Sequence, residues 1–236
     1  MKFSDKTLTL LKNFSNINQS ILFQKGSILR TVSNTRNIFA EASLSEDFPV
    51  EFGVYDLPSF LNNLNMFDNP PEMSFQSNSV VMTGDGPRTQ FYFSDTSTLF
   101  TPKHLAYIRS SEKPTSNSVD DLSFKMPSKF LEQLLKSSSI NQLPDFSVVS
   151  QKKKIALVVR DKLNNTSTAS DLEVGKTDKE FNLNFKVEYM KLLPGNYDVT
   201  ISHLENQGQF DYIGVFKNTT CDVTYWIALE SDSSFD

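Results

Sequence analysis

The feature that most constrains this chain is that it nearly repeats itself at half its length. Leu10-Leu11-Lys12-Asn13-Phe14-Ser15-Asn16-Ile17-Asn18 reads as the end of a helix. Leu134-Leu135-Lys136-Ser137-Ser138-Ser139-Ile140-Asn141 reads almost the same, 124 residues further on in a chain of 236. A hairpin signal follows each: apolar runs at 20–23 and 27–32 around Gln24-Lys25-Gly26, then at 146–149 and 155–159 around Gln151-Lys152-Lys153-Lys154. A chain that folds two such units builds two similar domains rather than one continuous core.

A second pair of segments extends the match. Val50-Glu51-Phe52-Gly53-Val54 alternates as a strand, as does Phe181-Asn182-Leu183-Asn184-Phe185-Lys186-Val187, and the expected correspondence is Phe52 with Phe185 and Val54 with Val187. Each half closes in strand-rich sequence: residues 80–82 and 91–93 in the first, 197–201 and 225–229 in the second. Each half therefore reads helix, strands, helix, strands, an α+β architecture. The expected limits are residues 1–94 and 123–236, with a Ser-, Thr- and Pro-containing connector over 95–122.

The helices carry charge unevenly. In the first, Thr7, Leu10, Leu11, Phe14 and Ile17 form one stripe behind a Ser4 N-cap, and Lys12 points away from it. In its repeat, Phe130, Leu131, Leu134 and Leu135 form the stripe, with Lys129 and Lys136 opposite. A further helix is expected over 57–64, with Asp56 as N-cap, Pro58 in its first turn, and Leu57, Phe60, Leu61 and Leu64 inward. Its counterpart near Tyr189-Met190-Lys191-Leu192-Leu193 is brief, stopped by Pro194-Gly195. Counting Lys2, Lys6, Lys12, Lys125, Lys129, Lys136, Lys186 and Lys191 against the acids among them, the helical segments carry +4. The whole chain is −5, so the remainder carries −9. That segregation points to a local polyanion-binding face on an acidic protein.

Motifs for chemistry are missing. There is no phosphate-cradling glycine loop, and Thr83-Gly84-Asp85-Gly86-Pro87 reads as a turn. There is no Gly-x-Ser-x-Gly elbow and no His-Glu-x-x-His. His104 and His203 are too isolated for a metal site. The single cysteine, Cys221, reads as a small buried residue in a strand and fits a reducing compartment. Apolar runs fall short of the ~20 residues of a membrane span, and Lys12 and Asn13 interrupt the run that a leader peptide would need. Hydrophobic residues make up 38%, enough for packed cores. These readings leave a binding protein ahead of an enzyme built on paired carboxylates, with a β-rich trimeric virion or tail protein as the alternative.

Several segments resemble the sliding clamps, the DNA polymerase processivity factors of T-even-type bacteriophages. They are Leu10-Leu11-Lys12-Asn13-Phe14, Val54-Tyr55-Asp56-Leu57 with Phe60-Leu61, Leu193-Pro194-Gly195-Asn196-Tyr197, and residues 225–233. Lys152-Lys153-Lys154 departs from the family as a more basic turn. The resemblance implies the DNA clamp fold: two clamp domains per chain and three chains per ring, with helices lining the bore and antiparallel sheets outside. It implies duplex DNA encircled without sequence preference, with the eight lysines above facing it, and no cofactor or metal. The replicative DNA polymerase would be tethered, its tail docking near Leu99, Phe100, Ile227 and Leu229. A separate ATP-driven clamp loader would open the ring. It implies support of late transcription with the host RNA polymerase, and a place in the cytoplasm of the infected bacterium. Ring closure is expected to use the strand near Val80-Val81-Met82-Thr83 and one late in the second half.

Overall fold

The computed structural model describes residues 1–102, 122–164, 166–203 and 212–235. They form two compact units. The first runs through the described residue 102, beyond the expected limit at 94, and the second begins with the strand at 122. Residues 103–121 of the connector lie outside the described residues.

In the first unit, helix α1 (Asp5–Ile17) leads into strands β1 (Ile21–Phe23), β2 (Gly26–Val32), β3 (Ile38–Phe48) and β4 (Phe52–Val54). Helix α2 (Leu57–Leu64) and strands β5 (Glu72–Phe75), β6 (Ser79–Thr83) and β7 (Thr89–Tyr92) complete it. One sheet has the order β4-β1-β2-β3 and a smaller one β5-β6-β7, with every pairing antiparallel. The expected α1 stripe is buried, and α1 packs on α2, β2 and β3. Its N-terminus is held by Ser4, whose hydroxyl accepts from the Thr7 amide at 3.2 Å. The core is aromatic: the rings of Phe23 and Phe52 stack at 4.4 Å, and Phe3, Phe48 and Phe60 surround them. Each such buried side chain contributes about 1.5–3 kcal/mol.

The second unit repeats the order with three changes: a strand before its helix, a 3₁₀ turn in place of the second helix, and a short closing strand. Strand β8 (Leu122–Met126) precedes helix α3 (Ser128–Asn141). Strands β9 (Asp145–Gln151), β10 (Lys154–Arg160), β11 (Ser170–Lys176) and β12 (Phe181–Lys186) follow. Then come β13 (Tyr197–His203), β14 (Tyr212–Asn218), β15 (Val223–Ala228) and β16 (Ser234–Phe235). The sheet orders are β15-β14-β13-β8 and β11-β10-β9-β12-β16. α3 lies on β10 and β11. The second helix expected here is only a 3₁₀ turn, Val187–Tyr189; Pro194 and Gly195 leave no room for a longer one. In α3, Leu131 and Leu134 are buried as expected, while Phe130 and Leu135 are half-buried and Ser138 takes a core position.

Other expectations shift with the register. The carbonyl that receives the chain leaving the last strand belongs to Gly53 in the first unit and to Asn184 in the second. Phe52 therefore corresponds to Leu183 and Val54 to Phe185, two residues from the expected match. Cys221 is half-exposed in the turn before β15 rather than buried in a strand. β6 is the centre of its sheet, paired on both sides, so residues 80–83 offer no edge for ring closure. The outer side of β5 is taken by Met1, whose carbonyl accepts the Met73 amide at 2.8 Å and whose amine donates back to the Met73 carbonyl at 3.0 Å. Among the described residues, β7 is an open sheet edge of the first unit, and in the second unit β11, β8 and the two-residue β16 are outermost strands, β11 the longest of them.

Candidate nucleic-acid interface

The outward faces of α1 and α3 are built by the same spacing. On α3, Lys129, Gln133, Lys136 and Ile140 are all exposed, at intervals that keep them on one face. The positions 124 residues earlier, Asp5, Thr9, Lys12 and Asn16, are exposed on α1. Lys12 and Lys136 thus hold the same place in the two units. Lys6, Lys12, Lys129 and Lys136 are exposed and make no ion pair among the described residues; Lys2 is exposed too, and after the N-terminal amine it helps hold the Glu72 carboxyl low. A lysine kept without an acidic partner is a hydrated point charge available to phosphate.

Local structure fixes each helix. Glu46 on β3 accepts from the Ser4 amide and from the Thr7 hydroxyl, the latter at 2.6 Å. Burial pushes the Glu46 carboxyl up, but the bonds from Thr7, Ser4 and Ser45 outweigh it and hold its pKa at about 2. That carboxylate locks the start of α1. At α3 there is no side-chain cap from Pro127; the Ser128 amide instead donates to Asn196 Oδ1 at 2.9 Å. Its far end turns through Gln142 in the left-handed region, φ 54°, and the Ser138 hydroxyl donates to the Leu143 carbonyl at 2.7 Å. α2 is capped by Asp56, which accepts the Ser59 amide at 2.9 Å, and carries no lysine.

The remaining expected lysines are placed differently. Lys125 is exposed on β8, not on a helix, and faces Asp198 across the ladder. Lys186 ends β12, and its Nζ donates at 2.8 Å to Asp145, whose side chain is 1% exposed. The bond to Asp145 raises the pKa of Lys186. This lysine holds a buried carboxylate and is committed to the fold. Lys191 is exposed beyond the 3₁₀ turn.

The four residues expected to receive a partner's tail are mostly core. Leu99 is 8% exposed, Ile227 0% and Leu229 5%. Leu99 and Phe100 lie together in the first unit, Ile227 and Leu229 in the second. Phe100, at 36%, alone presents surface. The Arg36 guanidinium sits 5.5 Å from its ring centroid, and Asn18 Nδ2 donates to its carbonyl at 3.3 Å. Neither Arg36 nor Asn18 announces itself in the sequence.

A family profile described as DNA polymerase processivity factor matches residues 2–80. The chain is 31% identical over 205 residues to the protein named sliding clamp of Vibrio phage KVP40, spanning 85% of this chain and 90% of that one. It is 28% identical over 242 aligned positions to the sliding clamp of Escherichia phage RB69, covering all of both chains. Among solved structures it is similar to the proliferating cellular nuclear antigen of Entamoeba histolytica, with a TM-score of 0.63 and 15% identity over 97% of each chain. The corresponding protein of Thermococcus kodakaraensis gives 0.62 at 13% identity, over 97% of this chain and 98% of that one. At those identities the likeness carries the fold alone.

Proposed function

The chain belongs to the sliding-clamp family of T-even-type phages, and from that premise we propose how its own residues encircle and hold duplex DNA. The observation that carries the reading is that ion-pair-free lysines stand on the outward sides of both α1 and α3, with Lys12 and Lys136 at equivalent places. Two units per chain and three chains per ring give six copies of one helix face around a bore. Lys2, Lys6, Lys12, Lys129 and Lys136 contact phosphates there, while the acidic remainder discourages DNA from the outside. Lysine contacts to phosphate read no bases, so binding is weak, sequence-independent and salt-sensitive, which allows sliding. Retention comes from topology. The ring works as a processivity factor by keeping the polymerase at high local concentration.

Closure joins two open sheet edges, β7 of one copy and β11, the longest outermost strand of the second unit, of the next, in a head-to-tail contact that completes a ring after three copies. Tyr92, 63% exposed on β7, supplies apolar surface to that joint. Partner tails use the surface around Phe100 and Arg36. Leu99, Ile227 and Leu229 support docking surfaces from within each unit rather than touching a partner. No sequence here supplies ATP chemistry, so a separate loader opens the ring, and late transcription would use the same ring as a tether. Sedimentation tests the assembly: a species of three times the chain mass that dissociates on dilution supports it, and a stable dimer or hexamer overturns it.

A further inference from the structure

The β9–β10 hairpin closes on two residues, Lys152 and Lys153, with φ of 51° and 63°. Gln151 pairs with Lys154 on either side, so this is the two-residue turn in which both central residues are left-handed. That turn favours Asn-Gly, and lysine at either place is strained. In the first unit, the hairpin at Lys25 places Gly26 at positive φ. The second unit keeps lysines where the backbone disfavours them, and the gain must lie outside the unit.

The tip adjoins the open edge. The Thr177 amide donates to the Lys153 carbonyl at 3.0 Å, and Lys154 pairs with Lys176 at the end of β11. Lys153 reaches Asp178 at 3.4 Å, both side chains more than 80% exposed, and Lys154 is tied to Glu173. Lys152 and Lys176 have no carboxylate partner among the described residues. No large apolar side chain is exposed on this hairpin. A protein partner gripping it alone would lack the apolar anchor such contacts rely on, so the tip suits a contact whose apolar part lies elsewhere, on the adjoining sheet edge.

Every described strand pair in this chain is antiparallel. Antiparallel pairing of β11 with β7 of another copy sets the end of β11 beside the start of β7. The turn that feeds β7 holds Asp85, whose Oδ2 accepts from Asn69 Nδ2 at 2.8 Å, with exposed Asp68 beside Asn69 in sequence. Arg88 is the cation on that side, leaving the group acidic. We propose that the Lys152–Lys153 turn, with Lys176, is an electrostatic latch between copies of this chain, closing on the Asp68–Asp85 turn of the next copy. It rests on the β7–β11 reading and gives that joint a salt-dependent component on a ring that must open and reclose.

The test is Lys152→Asn with Lys153→Gly, which removes both charges and installs the residues this turn prefers. Measured where the protein is monomeric, the variant should melt a few degrees higher. The dissociation constant of the assembly at low salt should rise about tenfold, with the difference from the unaltered protein shrinking in high salt. Asp85→Lys alone and Lys153→Asp alone should each weaken assembly, and the two together should restore part of it. Unchanged assembly in the Asn-Gly variant, or weaker DNA binding by the monomer with unchanged assembly, overturns the latch. Val174 is the extra residue of a β11 bulge, without a partner on β10; Val174→Pro blocks an edge position. If the proline variant still assembles fully, the edge reading itself fails; if it does not, while the Asn-Gly variant does, only the latch fails.

Discussion

Asn184 occupies in the second unit the place Gly53 holds in the first. The Gly53 carbonyl accepts the Ser94 amide at 2.9 Å, and the Asn184 carbonyl accepts the Glu230 amide at 2.8 Å. The same backbone device fastens the chain that leaves the last strand of each unit, but the side chains solve it differently. At Gly53 a Cβ would lie 2.6 Å from Leu99 Cδ1 and 2.9 Å from the Ser94 carbonyl oxygen. Asn184 is buried and bonds outward, accepting from Ser147 at 2.8 Å and Arg160 at 3.3 Å and donating to Asp232 at 3.3 Å.

Gly53→Ala should therefore cost about 1–3 kcal/mol in denaturant unfolding, through overpacking against a backbone oxygen that cannot move aside. Hydrogen exchange should show the Ser94 amide losing protection before the strands do.

Lys186→Ala should cost about 3 kcal/mol, because it leaves the buried Asp145 carboxylate without its cation and with the Lys162 amide, at 3.0 Å, still donating to it; Lys12→Ala should stay within about 0.5 kcal/mol. Equal costs in urea titrations would return Lys186 to the surface set. Lys186 has a raised pKa, so its contribution is fully present below its ordinary pKa of 10.5 and is lost as pH rises through the higher folded value.

Glu46 has the opposite sign. Its folded pKa of about 2 lies below the ordinary 4.5, so it stabilises above pH 4.5, and that stability is lost as pH falls towards 2. After allowance for solvent screening the effect is about 1–2 kcal/mol. Urea midpoints measured from pH 6 to 2 should fall less steeply in Glu46→Gln than in the unaltered chain.

What the sequence made legible was what periodicity encodes. The repeat, the stripes of α1 and α2, both hairpins and the outward lysines follow from spacings of 3.6 and 2. What it hid was set by pairing between distant strands. β3 is eleven residues long with acidic and serine positions that break its pattern, and β11 is a half-exposed edge with no buried position to mark it. Lys186 looked like Lys12 until Asp145, 41 positions away, proved to be its partner. The strand at 80–83, which the resemblance suggested for ring closure, is paired on both sides, a placement set by β5 and β7 rather than by its own residues.

Lys12→Glu with Lys136→Glu should leave urea stability and subunit mass unchanged while lowering polymerase stimulation on primed DNA. The slope of binding against salt should become shallower as phosphate contacts are lost. Unchanged stimulation would remove these two positions from the DNA-facing set.

Retention on circular against linear DNA tests the central claim most directly. After loading onto a nicked circle, the protein should stay bound through gel filtration at moderate salt and should run off once the circle is cut. Equal retention on the circular and linear forms would contradict encirclement.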